Sequence, residues 1–234
     1  MTDFLTGRRM MSIPNRSKEN YQKEMDKLLE SLTPGEKPRL LLHSCCAPCS
    51  SYVLEYLSPY FQITDFYYNP NITPESEYRH RTEELQRLIR EMLPDGDVHF
   101  LEGRYEPEKF FAAAKGLENE PEGGARCLKC FELRLREAAE EAVACHCDYF
   151  ATTLTISPLK NADHINAIGR RIAEETGVKY LASDFKKKNG YRRSTELSRE
   201  YHLYRQNYCG CVFSRKEAAQ RYSADKQISS TLGV

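Results

Sequence analysis

Seven of the nine cysteines in this 234-residue chain lie in three short clusters. The clusters read Cys45-Cys46-Ala47-Pro48-Cys49, Cys127-Leu128-Lys129-Cys130 and Cys209-Gly210-Cys211. Thiolates at short spacings can converge on one metal, and two pairs supply the four ligands that an iron–sulfur cube or a tetrahedral zinc requires. The pattern therefore predicts a thiolate-bound metal centre, and four thiolates suit both iron and zinc.

The third cluster then provides a surplus pair of thiols that the metal does not need. A disulfide between Cys209 and Cys211 would close a small, strained ring, and Gly210 relieves the backbone restriction between them. Strained disulfides are labile and oxidising, as a catalytic redox couple must be. We therefore interpret Cys209 and Cys211 as a redox dithiol, with a further pair of metal ligands as the alternative.

Two other features resemble metal ligands but have simpler interpretations. Cys145-His146-Cys147 precedes the fourth predicted strand, at the opposite edge of the sheet, so we expect ordinary buried thiols there. His43 lies in the first predicted strand beside the cysteines, and we expect it to be a hydrogen-bonding partner rather than a ligand.

Composition excludes several classes of protein. Lys plus Arg and Asp plus Glu number 34 each, so the neutral chain is not one that coats nucleic acid through net charge. It contains no run of ~18 apolar residues, which predicts no membrane span. Arg8-Arg9 is not followed by an apolar segment, so we predict no export signal. The expected location is the cytoplasm, where thiols stay reduced and available for metals or catalysis.

Strand-like and helical segments alternate along the chain. We predict strands over 39–43, 62–68, 97–101, 148–152 and 178–182. We predict helices over 49–58, from a Thr73 cap to Met92, over 107–115, over 127–144, from Asn161 to Gly177, from Ser194 onward, and after a Ser214–Glu217 capping box. This order indicates an α/β fold: a mostly parallel, five-stranded, doubly wound sheet with helices on both faces.

The predicted domain organisation has three parts. Residues 36–222 form one catalytic α/β domain, and residues 223–234 form a C-terminal tail. Residues 1–35 form an extension in which 1–16 look poorly ordered, while Tyr21, Met25 and Leu29 recur at helical spacing and predict one accessory helix.

This topology brings the chemistry-bearing segments together. Sites in open parallel sheets form at the carboxyl ends of the strands. Cys45-Cys46 follows the first strand, Cys127 opens a crossover helix at that edge, and 153–161 and 184–193 follow the last two strands. We therefore expect four segments to meet there. The argument does not place Cys209-Gly210-Cys211, because that cluster follows a helix.

Residues 184–215 form a basic, tyrosine-rich segment. They include eight Lys or Arg against three Asp or Glu, with four tyrosines interleaved. Cations that neutralise phosphates and aromatic rings that stack on bases suit single-stranded or looped RNA. The alternative is a solvated helix whose charged side chains only cover apolar surface.

Several motifs, in order, resemble one known family. The strings LLHSCCAPCSSYVLEYL, RCLKCFELRL, TTLTISPLKN and DFKKKNGYRRSTELSREYHLYRQNYCGC are similar to the QueH family of epoxyqueuosine reductases over about residues 38–216. The resemblance implies a nucleotide-hydrolase-like (HUP-like) α/β fold. It also implies reduction of epoxyqueuosine to queuosine in the tRNA anticodon arm, the last step of queuosine synthesis.

The resemblance also implies the site residues. It assigns Cys45, Cys46, Cys127 and Cys130 to a [4Fe–4S] cluster and Cys209 with Cys211 to a redox-active pair. Cys49 falls where family members can carry Asp and where a second, mononuclear metal binds, so its role stays open. No glycine-rich nucleotide motif is present, so we expect electrons from an external donor.

Two other classes of protein remain as alternatives. A zinc-stabilised RNA-binding module without catalysis would be colourless and would tolerate loss of Cys209 and Cys211. An ATP-dependent tRNA thiolase on a similar fold would need a glycine-rich pyrophosphate loop after the first strand. Here that loop reads SCCAPCSS.

Overall fold

The five strands form one parallel sheet. The computed structural model describes residues 19–96 and 98–231. The strands are β1 (Arg39–His43), β2 (Gln62–Tyr67), β3 (Val98–Glu102), β4 (Tyr149–Thr152) and β5 (Lys179–Tyr180), in the spatial order β3-β2-β1-β4-β5. All four pairings are parallel. The order reverses direction at β1, as in a doubly wound sheet, which confirms the predicted fold class.

Eight α-helices and one short 3₁₀ helix connect the described strands. They are α1 (Tyr21–Ser31), α2 (Ala47–Leu57), α3 (Glu75–Met92), α4 (Pro107–Ala114), α5 (Ala125–Ala144), the 3₁₀ turn Thr153–Ile156, α6 (Ala162–Thr176), α7 (Gly190–Glu200) and α8 (Val212–Thr231). No described helix is long and apolar enough to span a membrane.

Alternate side chains of the central strand point into two separate cores. Leu40 and Leu42 pack with α1, α2, α3 and α7 on one face of the sheet. Leu41 packs with α5 and α6 on the other. This alternation follows from the two-residue repeat of a strand whose faces are both covered. Since every helix that follows a strand runs back across the sheet, the helix N-termini collect at the carboxyl edge of the strands.

The accessory helix of the N-terminal extension is confirmed, and it packs against the domain. Met25 and Leu29 of α1 are buried in the first core. The Asp26 carboxylate accepts hydrogen bonds from Tyr56 Oη at 3.1 Å and from Lys188 Nζ at 2.7 Å. The predicted disorder of residues 1–16 lies outside the described residues, as does Asp97, the predicted start of β3.

Helix ends were predicted correctly where a side chain or a glycine signals them. The Asn161 side chain accepts from the backbone N–H groups of Asp163 and His164, and Gly177 ends α6 in the left-handed conformation. At α3 the predicted Thr73 cap is wrong, because the helix begins at Glu75 without a side-chain cap. The predicted end of the catalytic domain, at residue 222, falls within α8, which continues to Thr231.

Four further helix starts were predicted too late, those of α2 and α5 by two residues each. Helix α7 begins at Gly190 rather than Ser194, whose hydroxyl donates to Tyr191 O inside the helix. Gly190 packs so tightly that a Cβ there would lie 2.0 Å from Phe185 O. Helix α8 begins at Val212, and the Ser214 hydroxyl donates to Cys211 O instead of capping. Local motifs gave the wrong start because tertiary packing fixes these helices earlier.

Candidate metal and redox site

Three thiols meet where β1 ends and α2 begins. The Sγ atoms of Cys45, Cys46 and Cys49 all lie within 4.8 Å of one another, and the first two are 3.9 Å apart. Cys46 has an extended backbone and occupies the N-cap position of α2, so Cys49 follows it one turn later on the same side. Three soft ligands at this separation can hold a metal ion.

The second pair lies in the first turns of α5. The half-buried Cys127 Sγ accepts a hydrogen bond from Gly123 N at 3.2 Å. Cys130 is buried and packs with Cys211 in a small cluster beside α4. Burial raises the pKa of Cys127, and it raises the pKa of Cys130 to about 12. Both thiols therefore stay protonated at neutral pH unless a metal or a cation stabilises the thiolate.

The N-terminal part of α3 brings in the third cluster, which the sheet-edge argument did not place. Thr73 N donates to Gly210 O at 3.1 Å, and Arg81 Nη1 donates to Cys209 O at 3.2 Å. Gly210 has φ = +120°, a conformation that L side chains rarely adopt. A Cβ there would also lie 2.8 Å from Ile72 Cγ1. Glycine is therefore required between the two cysteines.

The thiol clusters share one site. A pocket of about 550 Å³ opens above them, and its lining includes Cys45, Cys46, Cys49 and Cys209. Its walls also include Arg81, Lys160, Tyr191, Arg205 and Tyr208. Cys130 and Cys211 pack together behind this lining. Seven thiols from three distant segments thus lie at one edge of the sheet.

The geometry does not gather the predicted ligand quartet around one point. Among the described residues, the group of His, Cys and acidic ligand atoms within 4.8 Å of one another is Cys45, Cys46 and Cys49. Cys127 and Cys130 lie outside this group. Burial raises their pKa values, and the nearby Cys209 and Cys211 add to that rise. A multi-iron cluster spans more space than one ion, so the quartet stays a prediction.

Negative charge on the first three thiols concentrates on one sulfur. Hydrogen bonds from Cys46 and Cys49 hold the pKa of Cys45 well below its usual range. The same bonds raise the pKa of Cys49, and they raise that of Cys46 to about 11. Lys160 and Arg134 further stabilise the Cys45 thiolate. The apoprotein is therefore prepared to offer one thiolate to an incoming metal.

Buried donors without partners surround these sulfurs. Arg134 Nη1 and Tyr67 Oη are enclosed and have no hydrogen-bond partner. Burial lowers the pKa of Arg81 and raises that of Tyr67, and the nearby Cys46 raises both. Unpaired buried donors are costly unless an acceptor is supplied. Thiolates bound to a metal or an iron–sulfur cluster are such acceptors, so these residues fit that kind of group.

Sequence reasoning missed the cations of the site. Lys160 is the second-last residue of the TLTISPLKN string, which follows β4, so its position was available as a signal. Arg81 and Arg134 sit in highly charged helices, where nothing in the spacing separates a buried arginine from a surface one.

The structure agrees with the simpler interpretations of His43 and Cys147, whereas Cys145 is only half-buried. His43 is buried and bonds to Thr152 Oγ1 and Arg134, so it acts as a hydrogen-bonding partner. Cys147 is buried, and Cys145 is half-buried with its thiol 3.4 Å from Glu141 Oε1. Both cysteines lie before β4, at the edge opposite the site.

The basic segment is partly neutralised by ion pairs. Four of its cations are paired: Lys186 with Asp184, Lys188 with Asp26, Arg192 with Glu196 and Arg193 with Glu55. Within the described chain, Lys187, Arg199, Arg205 and Arg215 make no ion pair. Arg205 and the exposed Tyr191 line the pocket. A cation and an aromatic ring therefore remain available at the entrance to the thiol site.

Comparisons with known proteins find relatives that match most of the chain. A family model described as epoxyqueuosine reductase QueH matches residues 40–217. A protein of that name from Staphylococcus epidermidis is 45% identical over 216 residues, covering 90% of this chain and 89% of the relative. One from Streptococcus pyogenes is 43% identical over 230 residues, covering 93% and 90%. Among solved structures, a U34-tRNA thiolase NcsA from Methanococcus maripaludis aligns with 12% identity and a TM-score of 0.48, covering 88% of this chain and 74% of that one.

Proposed function

Because the chain belongs to the QueH family of epoxyqueuosine reductases, and is therefore an oxidoreductase, we propose that it reduces epoxyqueuosine in tRNA to queuosine. This reaction is the last step of queuosine modification at the anticodon. The observation that carries the proposal is the meeting of seven thiols beside a pocket of about 550 Å³. A pocket of this size accepts a modified nucleoside while the rest of the tRNA stays outside.

The Cys209 and Cys211 thiols can balance the reaction. Removing an epoxide oxygen as water breaks two C–O bonds, forms a C=C bond and consumes two electrons and two protons. Two thiols that become one disulfide release two electrons and two protons. An external donor then returns the pair to the dithiol state. Both cysteines are free thiols in the structure, which is the form that reacts.

The remaining cysteines would hold the cofactor. We assign Cys45, Cys46, Cys127 and Cys130 to a [4Fe–4S] cluster, which supplies single electrons and Lewis-acid iron when bound. Cys49 lies within 4.8 Å of the first two and would bind a second, mononuclear metal or compete for the cluster. Metal analysis of Cys49→Ser separates these roles. If Cys49 binds a second metal, the variant keeps the four iron atoms of the cluster, and if Cys49 is a cluster ligand, the variant loses them.

Two groups at the pocket entrance would orient the RNA. We expect Tyr191→Ala to weaken tRNA binding about 5- to 150-fold, the loss of roughly 1–3 kcal/mol of base stacking. Arg205→Gln should weaken binding less at high salt and lower the slope of log affinity against log salt by about one, for one lost phosphate contact. Filter binding across a salt series measures both effects.

Matched substitutions far from the pocket control for general surface changes. Tyr60 is also an exposed tyrosine, and Arg90 is exposed near the end of α3, at the opposite edge of the sheet. Tyr60→Ala and Arg90→Gln should leave affinity and salt slope unchanged. Equal losses in the control and pocket variants would place the RNA surface outside residues 184–215.

Gly210 offers a test of the dithiol loop that leaves every thiol in place. Gly210→Ala forces a Cβ against Ile72 and requires a backbone conformation that alanine disfavours, a cost of about 1–3 kcal/mol. We expect the loop to shift and the turnover of epoxyqueuosine-tRNA to fall at least tenfold. Gly35→Ala is the control, because Gly35 has φ = +88° but open space around it. Normal turnover by Gly210→Ala would show that the loop geometry is unimportant.

Complementation tests the proposed function in cells. Expression of this chain in a bacterium that lacks its own epoxyqueuosine reductase should restore queuosine in tRNA. If epoxyqueuosine persists while the protein accumulates with its metal bound, the proposal fails. A colourless, zinc-loaded protein that binds tRNA without changing it would instead favour the RNA-binding alternative.

A further inference from the structure

Arg134 on α5 is a buried cation with no acidic partner. It is 1% exposed, and arginines are almost never enclosed unless a counter-charge accompanies them. The two other enclosed arginines satisfy this rule: Arg81 pairs with Glu77 at 2.7 Å and Arg126 with Glu217 at 3.2 Å. Within residues 19–96 and 98–231, no carboxylate pairs with Arg134.

Neutral groups fix the guanidinium in place. Arg134 Nε lies 3.3 Å from His43 Nε2, and Nη2 donates to Asn69 Oδ1 at 2.5 Å. His43 Nε2 also lies 3.1 Å from Tyr68 O, and His43 Nδ1 lies 2.9 Å from Thr152 Oγ1. Burial, followed by the charge of Arg134, lowers the pKa of His43 to about 3, so the imidazole is neutral. These bonds leave the positive charge uncompensated and Nη1 free.

The groups that stabilise the charge of Arg134 are cysteine sulfurs. Cys130 precedes it by four residues and therefore lies on the same side of α5. Burial lowers the pKa of Arg134, but Cys130, Cys209 and Cys45 raise it, so the net shift is upward. These three cysteines come from the three separate clusters. One buried cation thus interacts electrostatically with all three clusters.

We propose that Arg134 is the counter-cation of the sulfur site and that it raises the reduction potential of the cluster bound there. The inference rests on the proposed function only in requiring that a cluster be bound. Thiolate ligation gives the site negative charge, and reduction adds one more electron without a change of bonds. A fixed positive charge in a low-dielectric interior stabilises the reduced form more than the oxidised form. Arg134 is thus a positioning residue, which acts through its neighbouring sulfurs.

Three substitutions separate the charge of Arg134 from its shape. Arg134→Met and Arg134→Gln remove the charge, whereas Arg134→Lys keeps a cation but not the planar fork. Arg136→Met is the matched control, since Arg136 lies on the same helix but is partly exposed and pairs with Glu175 at 2.7 Å. Each protein is reconstituted anaerobically, assayed for iron and sulfide, and titrated with dithionite while the reduced cluster is followed by electron paramagnetic resonance, without tRNA.

The neutral variants should shift the midpoint potential to more negative values, with Arg134→Lys nearer the wild type and Arg136→Met unchanged. Full iron content with a wild-type potential in Arg134→Met or Arg134→Gln would overturn the inference. If neither neutral variant folds, Arg134→Lys decides: full iron and a potential close to wild type support the role of charge, and a folded but iron-free protein contradicts it.

The titration needs no substrate, so it fails separately from the proposed function. A cluster-loaded wild type that leaves epoxyqueuosine unchanged overturns the proposed function alone. Unshifted potentials in an enzyme that turns over normally overturn the role of Arg134 alone. A wild type that binds no iron overturns both.

Discussion

Serine at Cys45, Cys46, Cys127 or Cys130 should each remove the cluster and lower epoxyqueuosine turnover more than about 100-fold. The alcohol is a poor ligand for iron compared with a thiolate, and even changes outside the ligand sphere cost 10- to 100-fold. The measurements are iron and sulfide content, the broad visible absorption of thiolate-bound iron, and turnover. The circular dichroism spectrum of each variant should remain that of the folded protein while the colour of the cluster is lost.

The chain provides its own controls for this series. Cys147→Ser removes a buried thiol at the opposite edge of the sheet and should keep full iron and activity. Cys49→Ser tests the ligand set, because Cys49 is closer to Cys45 and Cys46 than the α5 pair is. If Cys49→Ser loses the cluster while Cys127→Ser or Cys130→Ser retains it, the assignment must change to the three thiols at the start of α2.

The second large effect concerns the dithiol. Cys209→Ser and Cys211→Ser should each abolish multiple turnover while leaving the cluster colour intact, because a single thiol cannot form the disulfide that releases two electrons. Alkylation followed by mass spectrometry should find these two cysteines bridged after one turnover without an electron donor. Variants that lose iron instead would make the pair a metal site. Variants that turn over normally would leave the cluster as the electron source and the pair as structural.

The sequence predicted the fold and four of the five segments near the site, because both follow from short-range patterns. Buried strands alternate with helices, and Cys45-Cys46 directly follows β1, so parallel topology alone places those thiols. The Cys127 pair opens a crossover helix and obeys the same rule. The family assignment, made from ordered motifs, is confirmed by the match over residues 40–217.

The position of the Cys209 pair could not be predicted, because a contact 128 residues away fixes it. In the sequence, Arg81 is one of several charged residues of an amphipathic helix. Only the folded chain shows it enclosed, bonded to Glu77 and to Cys209 O. Arg134 was missed for the same reason, since its burial depends on the packing of α5 over His43 and Asn69.

The ion pairs of residues 184–215 were also invisible in the sequence. The excess of five positive charges predicted an RNA surface. In the folded chain, Asp26 and Glu55 from distant segments neutralise Lys188 and Arg193. A triple substitution of Lys186, Lys187 and Lys188 would therefore remove folding contacts together with RNA contacts. The unpaired Arg205 is the sharper probe because no carboxylate in the described chain depends on it.

The most direct test of the account is the reaction itself. Anaerobically reconstituted protein, dithionite and tRNA carrying epoxyqueuosine are incubated, and the digested nucleosides are analysed by mass spectrometry. We expect the modified nucleoside to lose the mass of one oxygen atom and become queuosine, with cluster-loaded wild type but not with the zinc-loaded form. Unchanged epoxyqueuosine in the presence of an intact, reducible cluster, or equal conversion by the zinc-loaded protein, would contradict the account.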